Sequence, residues 1–361
     1  MDIVAPPDPL RARPPVTPPL RLHHNAMHDL GGFLAAADAL ALSGVSRGGR
    51  AAARDWADFR DPTPDRPLPD KLRRLHVGPH YENAKFVRSF GSWGRGDGRL
   101  HCPTGVAVDE RSGDVVVVDT GNHRVCEFND GVFLRSFGSY GGGDGQLKYP
   151  RGVAVDADGS VLVADTNNHR VSVFKDGAFV RSFGSEGVGD GQLKSPDSVA
   201  VDGEGNVLVT DHYNHRVCVF KDGAFVRTFG SKGAGDGQLK YPTGVAVDGE
   251  GNVLVADQLN NRVCVFKDGA FLRCFGSQAA GDDQLDYPSG VAVDKRPGNV
   301  LVPDSGNHRV CVFKDGAFLR SFGSHGGGDG QLYGPSSVAV DGDGNVLVVD
   351  THNHRVCVFG A

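Results

Sequence analysis

The sequence predicts an all-β chain whose main body is a closed six-bladed propeller, and three observations predict it. One phrase recurs six times: Asp119…Asn122-His123-Arg124, Asp165…Asn168-His169-Arg170, Asp211…Asn214-His215-Arg216, Asp257…Asn260-Asn261-Arg262, Asp304…Asn307-His308-Arg309 and Asp350…Asn353-His354-Arg355. The Asp-to-Asp steps are 46, 46, 46, 47 and 46 residues. A repeat of this length is one supersecondary unit that cannot bury its own apolar face, so neighbours must stack. Each period holds four short β-branched runs broken by Gly, Asp and Asn, and no 3.6-residue period persists beyond a turn or so. Four antiparallel strands per repeat make one propeller blade. Finally, the strand Phe-x-Arg-x-Phe-Gly occurs at Phe86, Phe133, Phe179, Phe225, Phe271 and Phe318, but no copy follows Phe359.

Taken in chain order, residues 1–85 are rich in Pro, Ala and Arg and are expected to be a mostly disordered tail, with stiff segments at Pro6-Pro7-Asp8-Pro9 and Asp61-Pro62-Thr63-Pro64. Met27–Ser43 and Ala51–Arg60 are candidate short helices there. The start, Met1-Asp2, lacks the basic and then apolar run of a secretory leader. Leu30–Leu42 contains Asp38 and is too short to span a bilayer. A cytoplasmic location without a membrane partner is the expectation.

Residues 86–361 form the repeat domain. In the third repeat, Val199-Ala200-Val201 is a strand and Gly203-Glu204-Gly205-Asn206 a hairpin turn. Val207–Asp211 and Val217–Phe220 flank the Asn-His-Arg loop. Lys221-Asp222-Gly223 turns into a fourth strand, Ala224–Phe229. A connector, Gly230 to Pro242, then crosses to the next blade. The chain stops one strand short of a sixth blade, and the surplus copy is Phe86–Gly91. Pairing of that copy with Val356–Phe359 is expected to close the ring and remove exposed sheet edges.

Pro-x-Gly-Val-Ala-Val-Asp, Gly-Asn-Val-Leu-Val-Ala-Asp and Asn-His-Arg-Val-x-Val-Phe together resemble the NHL repeat, over all of 86–361. The Trp-Asp pair of WD40 repeats is missing, and the period is short for kelch. The resemblance implies a six-bladed propeller, in agreement with the strand count. The family spans ubiquitin ligases, RNA-binding repressors, sensor domains and a metal-dependent lyase, so the fold does not fix the function.

Net charge is −6 for the chain. The repeat domain holds 26 Lys and Arg against 34 Asp and Glu, and the first 85 residues 12 against 10. So acidic a domain lacks the general footprint for nucleic acid, and DNA is not an expected partner. Five cysteines share one strand position, Cys126, Cys218, Cys264, Cys311 and Cys357, with Ser172 in the second repeat. Set one blade apart, these cannot bridge one another. No Cys-x-x-Cys occurs, so no RING or other zinc module is expected. Unpaired buried thiols in a reducing compartment are.

Three other motifs are read as structural. Asp156-Ala157-Asp158-Gly159 and Asp341-Gly342-Asp343-Gly344 resemble the start of calcium loops, but position twelve is Asn167 or His352 instead of Glu. The Gly-x-Gly-Asp-Gly connectors lead into strands, not the helix a phosphate loop needs. The repeated His residues lie on a ring and do not converge as zinc ligands must. The repeated Asp and Arg are expected to bond each other and nearby loop backbone. Neither a metal nor any other cofactor is expected.

Against the near-identical framework, three variable sets stand out, all expected at one end of the strands. The first follows each repeat-start proline, at the channel mouth: Thr104, Arg151, Asp197, Thr243, Ser289 and Ser336. The second lies between the loop Asp and Asn: Thr120-Gly121, Thr166-Asn167, His212-Tyr213, Gln258-Leu259, Ser305-Gly306 and Thr351-His352. The third is on the connectors: Trp93, Tyr140, Glu186, Lys232, Gln278 and His325. A ring of variable loops on a rigid scaffold is where binding resides. Asn261 in place of His, Pro303 at a strand end, the altered connector at Gln278 and the extra residues near Arg111-Ser112 and Arg296-Pro297 mark either a partner site on the opposite face or tolerated drift, and drift is the favoured reading.

Three functions compete. A non-catalytic platform for protein partners fits the exposed aromatics Trp93, Tyr140 and Tyr213 among polar groups. By resemblance it would recruit substrate in a ubiquitin-ligase pathway, with a partner supplying the RING. Single-stranded RNA would use Arg151, Lys232, Tyr213 and Trp93 with Lys148, Lys194 and Lys240, against the opposing charges of Asp197 and Glu186. A propeller lyase or lactonase would need unequal groups around the axis, and Arg151 beside Asp197 is the one charged pair on offer. A monomeric propeller binding protein is the leading reading.

Overall fold

The computed structural model describes residues 84–276, 283–296 and 298–360. The expected tail up to residue 83, with both candidate helices, and Gln278 lie outside the described residues. Within them are six four-stranded antiparallel sheets and no α-helix. No helix there is long and apolar enough to cross a membrane.

The third blade is built of Pro196–Val201, Asn206–Asp211, Arg216–Lys221 and Ala224–Phe229, strands a to d. The c–d hairpin puts both Asp222 and Gly223 at positive φ, 52° and 85°, which matches the right-handed twist of the strands it joins. In the a–b hairpin the Asp202 carboxylate accepts the Glu204 and Asn206 N–H groups, at 2.9 and 2.8 Å. The Asp-rich segments are therefore turns that hold themselves.

The core lies between blades. Leu162, Val171, Val173 and Phe183 of blade two pack on Val199, Val207, Val209 and Phe220 of blade three, with the connector residue Leu193 among them. Strand b is buried from Val207 to Asp211, which is why the Val-Leu-Val run shows no alternation: both of its faces meet a neighbour. Near the axis, between blades four and five, the packing leaves no room for a side chain at Gly244. A Cβ on Gly244 would lie 2.6 Å from Gly290 Cα in the next blade, so glycine there sets how closely the innermost strands approach.

Lys85–Phe90 pairs antiparallel with Arg355–Gly360 and becomes strand d of blade six. The ring is therefore closed by both chain ends, as the strand count required, with the strand opening one residue earlier than expected. Strand d of each blade is the outer edge, and it carries a bulge. In blade three the register shifts between Phe225 and Arg227, leaving Val226 unpaired and exposed. Val87, Leu134, Val180, Leu272 and Leu319 sit at the same shift. A bulge that twists an edge away from a regular ladder discourages pairing with another chain.

One expectation fails. Cys264 is bonded to Cys274 across strands c and d of blade four, with the Cα atoms 4.1 Å apart. Comparing equivalent positions between blades missed it, because the partner is a cross-strand neighbour where other blades carry Ser136, Ser182, Thr228 and Ser321. Cys126, Cys218, Cys311 and Cys357 are free and buried. Burial pushes the thiols of Cys126, Cys218 and Cys357 up to about 12, which keeps them protonated and unreactive.

Candidate interaction face

The repeated phrase is a clamp that builds one face of the ring. Asp211, wholly buried, accepts the Lys194 N–H at 2.6 Å through one oxygen. Its other oxygen takes Asn214 and Arg216, both at 2.8 Å. Asn214 also donates to Gly187 O, and Arg216 to Gly189 O and Gln192 O. Thus Asp, Asn and Arg staple the incoming connector onto their own blade. His215 reaches forward: its Nδ1 accepts the Tyr241 N–H of the next connector at 3.0 Å. Asn261, in the His place of blade four, accepts the Tyr287 N–H through Oδ1 at 3.1 Å. That substitution keeps the acceptor. Among the described residues, no group of three or more His, Cys, Asp or Glu is arranged to hold a metal ion.

The first two variable sets stitch blades together at the channel mouth. Thr104 donates to Arg151 O at 2.9 Å, Thr243 to Pro288 O at 3.2 Å, Ser289 to Pro335 O at 2.9 Å and Ser336 to Thr104 O at 2.8 Å. Thr120, Ser305 and Thr351 donate to the next blade's proline carbonyl in parallel. Between blades two and three the hydroxyl is replaced by Arg151 to Asp197, an ion pair at 2.7 Å with Arg151 half exposed. The Asp197 carboxylate holds the Arg151 guanidinium above its ordinary value. Thr243 is buried, and His212 Nδ1 lies 3.2 Å from Pro242 O.

The described members of the connector set stand outward. Trp93 is 68% exposed and Tyr140 62%, with Glu186 and Lys232 also exposed. The rings gather over the blade junctions. Tyr140 lies tilted against His123 and Tyr149 meets it edge-on, with ring centres 4.9 and 4.5 Å apart. Tyr213 and Tyr241 meet His212, and Tyr241 meets His215. His325 lies on His308 at 4.5 Å, and Tyr333 bridges His308 and His352. Reading variable positions alone missed Tyr149, Tyr241, Tyr287 and Tyr333. The signal was in the sequence as Tyr-Pro at three connector ends, where Tyr149, Tyr241 and Tyr287 sit at φ near 50°.

The opposite face is made of the a–b hairpins. They ring the other channel mouth and line a cavity of about 780 Å³ with Asp109, Asp156, Asp202, Glu204, Asp248 and Glu250. The longer hairpins of blades one and five are used there. Lys295 pairs with Glu110 across the mouth, and Arg111 reaches Asp158 O of blade two.

The NHL repeat family matches at residues 100–128, 147–174, 193–220, 239–266, 285–313 and 332–359, one stretch per blade. No curated protein matches the chain. Solved structures with the same fold include a gluconolactonase from Xanthomonas campestris, 17% identical, covering 79% of this chain and 99% of that one, with a TM-score of 0.55. A catalytically inactive virginiamycin B lyase from Staphylococcus aureus, solved with quinupristin, is 9% identical, covers 78% of this chain and 97% of its own, and has a TM-score of 0.53. At such identities the likeness is one of fold alone.

Proposed function

This chain belongs to the NHL-repeat family, and we propose that it is a non-catalytic platform that binds protein partners on the connector face. One observation carries the reading: large aromatics that could have been buried, above all Trp93, Tyr140 and Tyr213, stand exposed on loops clamped by buried Asp–Arg pairs. Rigid aromatic anchors among polar groups supply contact area at little entropic cost, which is what interface hot spots do. Within its family, recruitment of substrate for a ubiquitin ligase is the pathway we favour. The enzymes that share the fold would support a lyase or lactonase, but the six blades here repeat one structural clamp, and the mouth hydroxyls are spent on neighbouring backbone.

The test is capture by the full-length chain, with and without ribonuclease, using two variants. Trp93→Ala/Tyr140→Ala/Tyr213→Ala changes the connector face, and Glu204→Ala/Glu250→Ala the hairpin face. The platform reading expects a ribonuclease-resistant partner that the triple variant loses, with about tenfold weaker binding for each anchor removed, and that the hairpin variant keeps. Loss in the hairpin variant instead would move the site to the other face. Partners that vanish with ribonuclease would give RNA first place.

A further inference from the structure

At every blade junction, the residue in the third place of the repeated phrase accepts a backbone N–H from the next blade's entry. Nδ1 of His123 takes Tyr149 at 3.1 Å, His169 takes Ser195 at 3.0 Å and His215 takes Tyr241 at 3.0 Å. His308 takes Gly334 at 3.1 Å and His354 takes Cys102 at 3.0 Å. An accepting Nδ1 belongs to the neutral ring, with its proton on Nε2. On protonation Nδ1 becomes a donor and faces another donor, so the bond cannot survive. The amide oxygen of Asn261, which takes Tyr287 at 3.1 Å, has no such transition.

The held backbone is itself strained. Cys102, Tyr149, Ser195 and Tyr241 lie at φ of 47°, 48°, 53° and 55°, a region that side chains adopt at a cost and keep only when their surroundings hold them. We propose that the five histidines form an acid-released latch around the ring. Neutral, they hold the connector entries; protonated, they let go at five junctions while the Asn261 junction stays shut.

The surroundings agree. His123 faces Arg95 and His101 against Asp119. His215 faces Lys232 and His212 against Asp211 and Asp257. His308 faces His325 and His352, and His354 faces His101 and His352; Asp350 opposes both, with Asp304 at the first and Asp119 at the second. At the second junction Glu186 stands 3.9 Å from His169 Nε2. Burial, the largest cause, holds His123, His215, His308 and His354 below the ordinary 6.5. The unfolded chain then binds more protons than the folded one. The stabilisation is complete above the unfolded value and declines as the pH falls below it.

The test is amide hydrogen exchange on the full-length chain at pH 7.5 and 5.5, corrected for the intrinsic effect of pH. Protection at Cys102, Tyr149, Ser195, Tyr241 and Gly334 should fall about fivefold or more at the lower pH, the worth of one hydrogen bond, while Tyr287 keeps its protection. Equal loss at all six junctions, or loss at none, overturns the latch. A second measurement uses His123→Asn/His169→Asn/His215→Asn/His308→Asn/His354→Asn, which copies the Asn261 solution. It should keep the melting temperature of the parent at pH 7.5 and lose much of its fall toward pH 5.5. An undiminished fall would assign the acid sensitivity to other groups. Should that variant not fold, Asn261→His serves alone: the Tyr287 amide must become acid-sensitive, and a Tyr287 that stays protected refutes the proposal.

Discussion

The connector face and the hairpin face are made by the same six repeats, yet they are held in different ways. On the connector face each loop is fixed by a fully buried carboxylate that bonds a backbone N–H, an Asn and an Arg, as Asp211 does. On the hairpin face each turn is held mainly by its own Asp, as Asp202 holds Glu204 and Asn206. Ion pairs there are exposed, as between Lys295 and Glu110. The first arrangement couples neighbouring elements, and the second is local. A face whose loops are over-determined by buried bonds can present aromatics rigidly, whereas a face of self-contained turns tolerates insertions such as those in blades one and five.

Both faces depend on closure, so the largest effect should come from breaking it. Deleting residues 85–91 removes strand d of blade six, exposes the edge of Arg355–Gly360 and should yield an aggregating, unfolded chain. A soluble deletion with an unchanged melting temperature would show that the ring does not need its closing strand.

The next experiment sets one face against the other. Asp211→Ala leaves Arg216 and the Lys194 N–H without their buried partner and should cost about 3–5 kcal/mol in urea unfolding. Asp202→Ala, on a partly exposed turn, should cost about 1 kcal/mol. Equal losses would erase the distinction between the faces. The smallest effect belongs to the bar across the hairpin mouth. Glu110→Gln breaks an exposed pair and should change stability by no more than about 0.5 kcal/mol, an effect that fades with salt. A larger, salt-independent loss would mean that the bar is a structural member of that face.

What the sequence determined by itself was the framework that repeats. Period, blade number, the closing strand at Phe86 and the bonding of the repeated Asp to the repeated Arg were legible because six copies of one local solution average out the noise of any single one. Only the tertiary structure decided what crosses between copies. That Thr104 and Ser336 spend their hydroxyls on the next blade, that Asn261 stands in for a histidine acceptor, that Cys274 faces Cys264, and that Lys295 reaches Glu110 are relations between residues far apart in the chain or across strands. Variation at a position looks the same in sequence whether it is free surface or a changed partner across a junction. The distances between blades tell the two apart, and those exist only after the ring has closed.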